Sequence, residues 1–139
     1  MSQTSPTKPA AQKILVVDDN SIVIKTLCMK LEAAGYLTAT AEDGAEAVAQ
    51  VRRENPDLIL MDLNFPPDVT SVQWDGYRLI EWLHRLEASK KIPIIVITSS
   101  EDEKTKERVT ALGATALFLK PLEHADLLKV IRSTLGENK

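Results

Sequence analysis

With 139 residues, 44% of them hydrophobic and 27% charged, the chain fits one globular domain large enough to bury a real core. A net charge of −3 argues against a surface built for nucleic acid, and the single Cys28 excludes an internal disulfide. No apolar run approaches a membrane span and no signal-peptide pattern precedes the first strand, so the expected setting is cytoplasmic.

Residues 1–12 are polar, contain Pro6 and Pro9, and read as a flexible amino-terminal tail. A β-branched apolar strand at 14–17 then stops at Asp18-Asp19. Residues 21–34 have helical spacing and end at Gly35, which suits a left-handed cap. Residues 37–41 alternate Leu37, Ala39 and Ala41 with threonines as a weaker strand. Asp43 with Glu46 three residues on resembles a capping box, opening an alanine-rich helix to about Arg53 that Pro56 closes. Asp57-Leu58-Ile59-Leu60-Met61-Asp62 follows. So short an apolar run reads as a strand buried on both faces, hence a parallel sheet between helices. Asp62 then stands at the carboxyl edge of the sheet, where ligands bind in open α/β folds.

After an irregular stretch at 64–74, Asp75 reads as the cap of a helix with Leu79, Ile80, Leu83 and Leu86 on its inner face. Residues 92–98 are the most strand-like in the chain. Ser100 and Glu103 form a second capping box, for a charged helix to Leu112 that Gly113 terminates. A fifth strand at 116–119 is broken by Lys120-Pro121, and residues 122–135 close the chain as a helix with Leu127, Leu128, Ile131 and Leu135 inward. Five βα units with short links imply an α/β, doubly wound, three-layer (βα)5 sandwich with right-handed crossovers.

Polar groups cluster at four strand ends: Asp18-Asp19, Asp62, Thr98 with Ser99 and Ser100, and Lys120. These ends converge if the first, third, fourth and fifth strands are near neighbours. Two unit charges about 4 Å apart interact by roughly 4 kcal/mol at an effective dielectric near 20, too much to leave uncompensated. A divalent cation is the natural remedy, and oxygen-only ligands select Mg²⁺ or a similar hard ion over zinc. Three acids, such a cation and one ammonium leave the pocket neutral and open to an anionic phosphoryl group.

Ile14-Leu-Val-Val-Asp-Asp19, Leu60-Met-Asp62, Ile97-Thr98-Ser99 and Lys120-Pro121 closely resemble the receiver domains of two-component response regulators. The resemblance covers residues 13–136, leaving 137–139 as a short carboxyl-terminal tail. It implies a flavodoxin-like, five-stranded parallel sheet of order 2-1-3-4-5. It also implies that Asp62 is the phosphoacceptor, attacking a phosphohistidine of a sensor histidine kinase or phosphotransfer protein. By the same resemblance Mg²⁺ is held by Asp19, Asp62 and the backbone carbonyl of Asn64, with Asp18 acting through water. Thr98 and Lys120 then bind the phosphoryl group. The Lys120-Pro121 bond is often cis in such domains, and Asn64 and Ser100 hold the positions that tune dephosphorylation.

Two departures from the family pattern stand out. The aromatic usual three residues before the lysine is replaced by Leu117, and Phe118 falls one position later, facing the opposite way. Signalling is therefore expected to run through another element. The loop after Asp62 is also about six residues longer than the pattern, which loop-closure entropy tolerates. It is either a harmless insertion or a lid anchored by Trp74 or Phe65 and stiffened by Pro66-Pro67.

On the first helix, Leu27 and Leu31 define the core face, while Ile22 and Met29 fall well away from it. They are either scattered exposed apolars or a docking surface for a helical partner such as a kinase phosphotransfer bundle. Cys28 reads as a packing thiol, His84 and His124 as surface or capping residues, and the 101–108 run as a solvated face with internal ion pairs. The expected function is a phosphorylatable switch, itself a phosphoacceptor domain rather than an enzyme acting on a separate substrate. It signals through protein contacts as a monomer or weak homodimer, with neither nucleic acid nor membrane as direct partner. A phosphorylation-independent receiver-like binding module is the alternative. A Mg²⁺-dependent aspartyl phosphatase is a third class, disfavoured because position 64 is Asn where those enzymes place a second acid. The downstream partner is unspecified, and the chain reads equally as a stand-alone receiver or as part of a longer protein.

Overall fold

A computed structural model describes residues 12–63, 76–85, 92–98, 103–120 and 123–136. Strands and helices alternate along it: β1 (Lys13–Val17), α1 (Ser21–Ala33), β2 (Leu37–Ala41), α2 (Gly44–Glu54), β3 (Leu58–Asp62), α3 (Gly76–Arg85), β4 (Ile94–Thr98), α4 (Glu103–Ala111), β5 (Ala116–Leu119) and α5 (His124–Leu135). The strands form one parallel sheet in the order β2-β1-β3-β4-β5. This is the doubly wound, flavodoxin-like sandwich expected. Among the described residues no helix is long and apolar enough to cross a membrane.

Side-chain alternation splits β1, β3, β4 and β5 between two cores, while β2 gives Ala39 and Ala41 to one of them only. Leu15, Val17, Ile59, Met61 and Val96 pack with Ala47 and Val51 of α2, Leu79, Ile80 and Leu83 of α3, and Val109 of α4. Ile14, Val16, Leu58, Leu60 and Ile95 pack on the other side with Ile24, Leu27 and Leu31 of α1 and Leu127 and Ile131 of α5. All residues of β3 and β4 are buried, which explains their unbroken apolar runs. Each fully buried Leu or Ile stabilises the fold by roughly 1.5–3 kcal/mol relative to exposure.

Local chemistry sets the element ends. Asn20 caps α1, its Oδ1 accepting from the N–H groups of Ile22 (2.9 Å) and Val23 (3.3 Å). Asp43 caps α2 by accepting from the Glu46 N–H (2.8 Å), and the Glu46 carboxylate reaches back to the Glu42 N–H (2.8 Å). That return bond lands one residue earlier than a capping box requires. His84 Nδ1 donates to the Leu112 carbonyl (2.7 Å), capping the carboxyl end of α4 from α3. Gly113 beside it has φ +100°, and a Cβ there would stand 2.7 Å from His84 Cε1, so both backbone angle and space demand glycine.

Several boundaries move from their sequence expectation. β4 begins at Ile94 rather than 92 because Pro93 has no N–H for the ladder, although its carbonyl accepts from the Ile59 N–H (3.0 Å). α1 and α4 each end one residue early, at Ala33 and Ala111. Leu128 and Leu135 of α5 are only partly buried. The expected roles of Leu86, Asp75, Leu122 and both tails lie outside the described residues, apart from Gln12.

The sheet has one charged edge and one guarded one. At its amino edge the Lys13 N–H donates to Asp57 Oδ2 (2.8 Å), the Asp57 N–H donates to the Lys13 carbonyl (2.8 Å), and Lys13 Nζ pairs with Glu54 Oε1 (2.7 Å). Along the outer strand β2, Thr38 Oγ1 donates to Glu32 Oε2 (2.6 Å) and Gln50 Nε2 donates to the Thr40 carbonyl (2.8 Å).

Candidate functional site

The strand register gathers the carboxyl-edge groups. Val17 lies beside Met61, so the next residues, Asp18 and Asp62, emerge level with one another; Asp62 lies beside Ile97, and Thr98 beside Leu119. Lys120 leaves β5 immediately after, held by its N–H donating to the Thr98 carbonyl (2.9 Å). By alternation Asp18, Asp62 and Lys120 share the α1/α5 side of the sheet, and Thr98 continues the opposite side. Asp18, Asp62 and Thr98 are all buried, which for two acids on adjoining strands demands compensation.

Lys120 supplies part of it. Its Nζ lies 3.3 Å from Asp62 Oδ2 and 3.8 Å from Asp18 Oδ2. Asp18 is oriented further by the Asn20 N–H donating to its Oδ1 (2.9 Å), and its own N–H donates to the Ala41 carbonyl (3.0 Å). Burial nevertheless pushes the Asp18 carboxyl above the usual carboxylate range, and the neighbouring Asp62 and Asp19 charges add to this. The Asn20 N–H and Lys120 act against it. One carboxylate oxygen from each of Asp18, Asp19 and Asp62 lies within 4.8 Å of the others. Among the described residues this is a hard-oxygen donor set with one ammonium beside it, which fits a divalent cation such as Mg²⁺ that would offset the remaining repulsion.

Thus five of the expected site residues, Asp18, Asp19, Asp62, Thr98 and Lys120, come to one edge of the sheet. Asn64, Ser99, Ser100, Pro121 and the loop with Phe65 and Trp74 lie outside the described residues. Leu117 packs with the α2–α4 side and Phe118 with the α1/α5 side, as alternation requires.

Beside the pocket lies a groove of about 460 Å³, lined among the described residues by Ile22, Thr26 and Leu27 of α1 together with Asp18, Lys120 and His124. Ile22 is 74% exposed and Met29 65%, so both leave the core face as their spacing predicts. Two contributors went unread in the sequence. Asn20 links α1 to Asp18, and its position just before an apolar periodic run is the signal for a cap. His124, expected to be a surface or capping residue, also lines the groove, and its place four residues after Lys120 is the hint. Cys28 is half-buried and free, and burial raises its thiol above the ordinary value, which suits the expected packing role.

Comparison with known proteins agrees with this geometry. Residues 14–132 match the model of the response regulator receiver domain family. The polar-differentiation response regulator DivK of Brucella ovis is 31% identical over 126 residues, covering 91% of this chain and 98% of that protein. The chemotaxis protein CheY4 of Vibrio cholerae superimposes with a TM-score of 0.80 at 30% identity, over 90% of this chain and 99% of its own. The receiver domain of the sensor histidine kinase PA1611 of Pseudomonas aeruginosa, solved with a magnesium ion coordinated in its active site cleft, gives 0.79 at 29% identity, over 92% and 100%. Asp18, Asp19 and Asp62 thus form the acidic pocket of a chain that belongs to the response regulator receiver family, phosphoacceptor signalling domains of two-component systems.

Proposed function

We propose that Asp62 accepts a phosphoryl group from the phosphohistidine of a sensor kinase or phosphotransfer protein. One Asp62 oxygen attacks phosphorus, the P–N bond breaks, and its electron pair leaves with the imidazole, so that an acyl phosphate forms on Asp62. Lys120, 3.3 Å from the Asp62 carboxylate, pairs with the arriving phosphoryl oxygens, and the buried Thr98 supplies a hydroxyl from the neighbouring strand. Asp19, Asp62 and the Asn64 carbonyl would hold Mg²⁺, with Asp18 through water; the ion supplies charge that lets an anionic donor approach a carboxylate. Asn64 and Ser100 tune the return hydrolysis. Residues 13–136 form the receiver unit, and the reaction belongs in the cytoplasm, where kinases make phosphohistidine from ATP.

The observation that carries this reading is the Asp62–Lys120 pair set beside Asp18 and Asp19 at one sheet edge. Acetyl phosphate with Mg²⁺, followed by intact-mass measurement, should add one phosphoryl group to the wild type and none to Asp62→Asn. Equal labelling of the two would refute it. The groove walled by Ile22 and Leu27 opens beside Asp18 and Lys120, so a helical phosphodonor docking on α1 brings its phosphohistidine to the pocket. Ile22→Lys should slow transfer from the kinase while leaving transfer from acetyl phosphate unchanged. Equal slowing of both would reject α1 as the docking surface.

A further inference from the structure

Only Asp18, Asp19 and Asn20 separate β1 from α1, and Asn20 closes that turn by bonding in both directions along the chain. Forward, its Oδ1 accepts from the N–H groups of Ile22 (2.9 Å) and Val23 (3.3 Å), and its carbonyl accepts from the Ile24 N–H (3.1 Å). Backward, its own N–H donates to Asp18 Oδ1 (2.9 Å). These bonds share one backbone conformation, the extended cap at φ −98° and ψ 112°. Asp18 is held on its other side by β2, where its N–H donates to the Ala41 carbonyl (3.0 Å), while its Oδ2 lies 3.8 Å from Lys120 Nζ. The side-chain oxygen of Asn20 is already shared by two amides, so Asn20 reaches the acidic pocket through Asp18 and not as a ligand itself.

We propose that Asn20 is a positioning residue for Mg²⁺: by capping α1 with its side chain it holds its own N–H on Asp18, and so presets the Asp18-Asp19 turn for the cation. This deepens the proposed function and rests on Mg²⁺ binding at that pocket. Asp18 and Asp19 supply two of the three carboxylate oxygens that lie within 4.8 Å of one another, and both are carried on this turn. A carboxylate oxygen fixed by an N–H does not swing away from its neighbours. The acids therefore stay gathered before the ion arrives, and less of the binding free energy is lost to ordering the turn. Removing the cap leaves α1 in place, because Ile24, Leu27 and Leu31 are buried, but it releases the turn that the cap conformation fixes. The effect falls on the metal site more than on the fold.

Mg²⁺ titrated into the full chain in a calorimeter, with no phosphodonor present, reads this directly. Asn20→Ala should weaken Mg²⁺ binding about tenfold, the lower end of what partners that orient metal ligands contribute. Asn20→Ser, which caps equally well, should restore wild-type affinity. Asn20→Gln keeps the amide but sets it a methylene too far out, and should bind as weakly as Asn20→Ala. Asp57→Ala, at the opposite edge of the sheet, should keep wild-type affinity, which separates positioning from a general loss of stability. The inference is overturned if Asn20→Ala binds Mg²⁺ like the wild type, or if Asn20→Ser binds as weakly as Asn20→Ala. Where Asn20→Ala does not fold, Asn20→Ser against Asn20→Gln decides, and equal affinities overturn it. A wild type without saturable Mg²⁺ binding would overturn the metal reading of the pocket as well.

Discussion

The two ends of the same strands carry charge in opposite ways. At the amino edge Lys13, Asp57 and Glu54 interlock, each cation or N–H meeting an acceptor at 2.7–2.8 Å. At the carboxyl edge Asp18, Asp19 and Asp62 crowd together, with Lys120 at 3.3 and 3.8 Å from two of them. The titration directions follow. Lys13 holds the Glu54 carboxyl below its ordinary value, whereas burial and neighbouring acids hold Asp18 above its own. One edge is arranged to stabilise the fold, and the other, among the described residues, gathers more carboxylates than cations, a balance that a metal ion and a phosphoryl group can exploit.

This contrast can be broken at either end. The largest effect belongs to Lys120→Met, which should slow phosphorylation of Asp62 by about 100-fold or more in a mass-spectrometric time course, as loss of a charge-stabilising donor does. Asp57→Ala should leave that rate unchanged. Mg²⁺ should raise the thermal midpoint of the wild type, adding about 2.7 kcal/mol of stability at a hundredfold excess over Kd. Asp19→Asn should abolish that gain, and a chelator should return the wild type to the metal-free midpoint. Asp57→Ala should lower stability by about 1–2 kcal/mol in urea titrations with its Mg²⁺ response intact. A loss of Mg²⁺ response in that variant would mean that the two edges are not separate.

The smallest effect is one of pH. Because the Glu54 value is lowered in the folded state, its contribution is present above its ordinary value of 4.5 and is lost as pH falls through the depressed one. Glu54→Gln should therefore flatten the acid limb of the stability profile measured by urea midpoints. An unchanged acid limb would mean that the Lys13–Glu54 pair contributes nothing.

The carboxyl edge was the legible one. Asp18, Asp62 and Lys120 each end a short apolar run, and a parallel sheet must bring such ends to one side. Leu117 and Phe118 were likewise separable by alternation alone. Strand order was not, because nothing in an apolar run names its neighbour; it came from family resemblance. The amino-edge cluster escaped for the same reason: Lys13 and Asp57 are 44 residues apart, and neither marks a motif. Arg108 is exposed, as the reading of a charged helix as a solvated face expects, but it has a partner on another helix that the sequence did not name. Its guanidinium lies 3.8 Å from the centroid of Tyr77 on α3, a stacking that only the packing of α3 against α4 creates.

Gln50 carries a consequence for life in a crowded cell. In β2 the backbone groups of Leu37, Ala39 and Ala41 turn toward β1, so those of Thr38 and Thr40 face outward, where an incoming strand would template. By occupying the Thr40 carbonyl from α2, the Gln50 amide blocks one rung of that ladder. A second strand approaching β2 would therefore find the Thr40 carbonyl already taken.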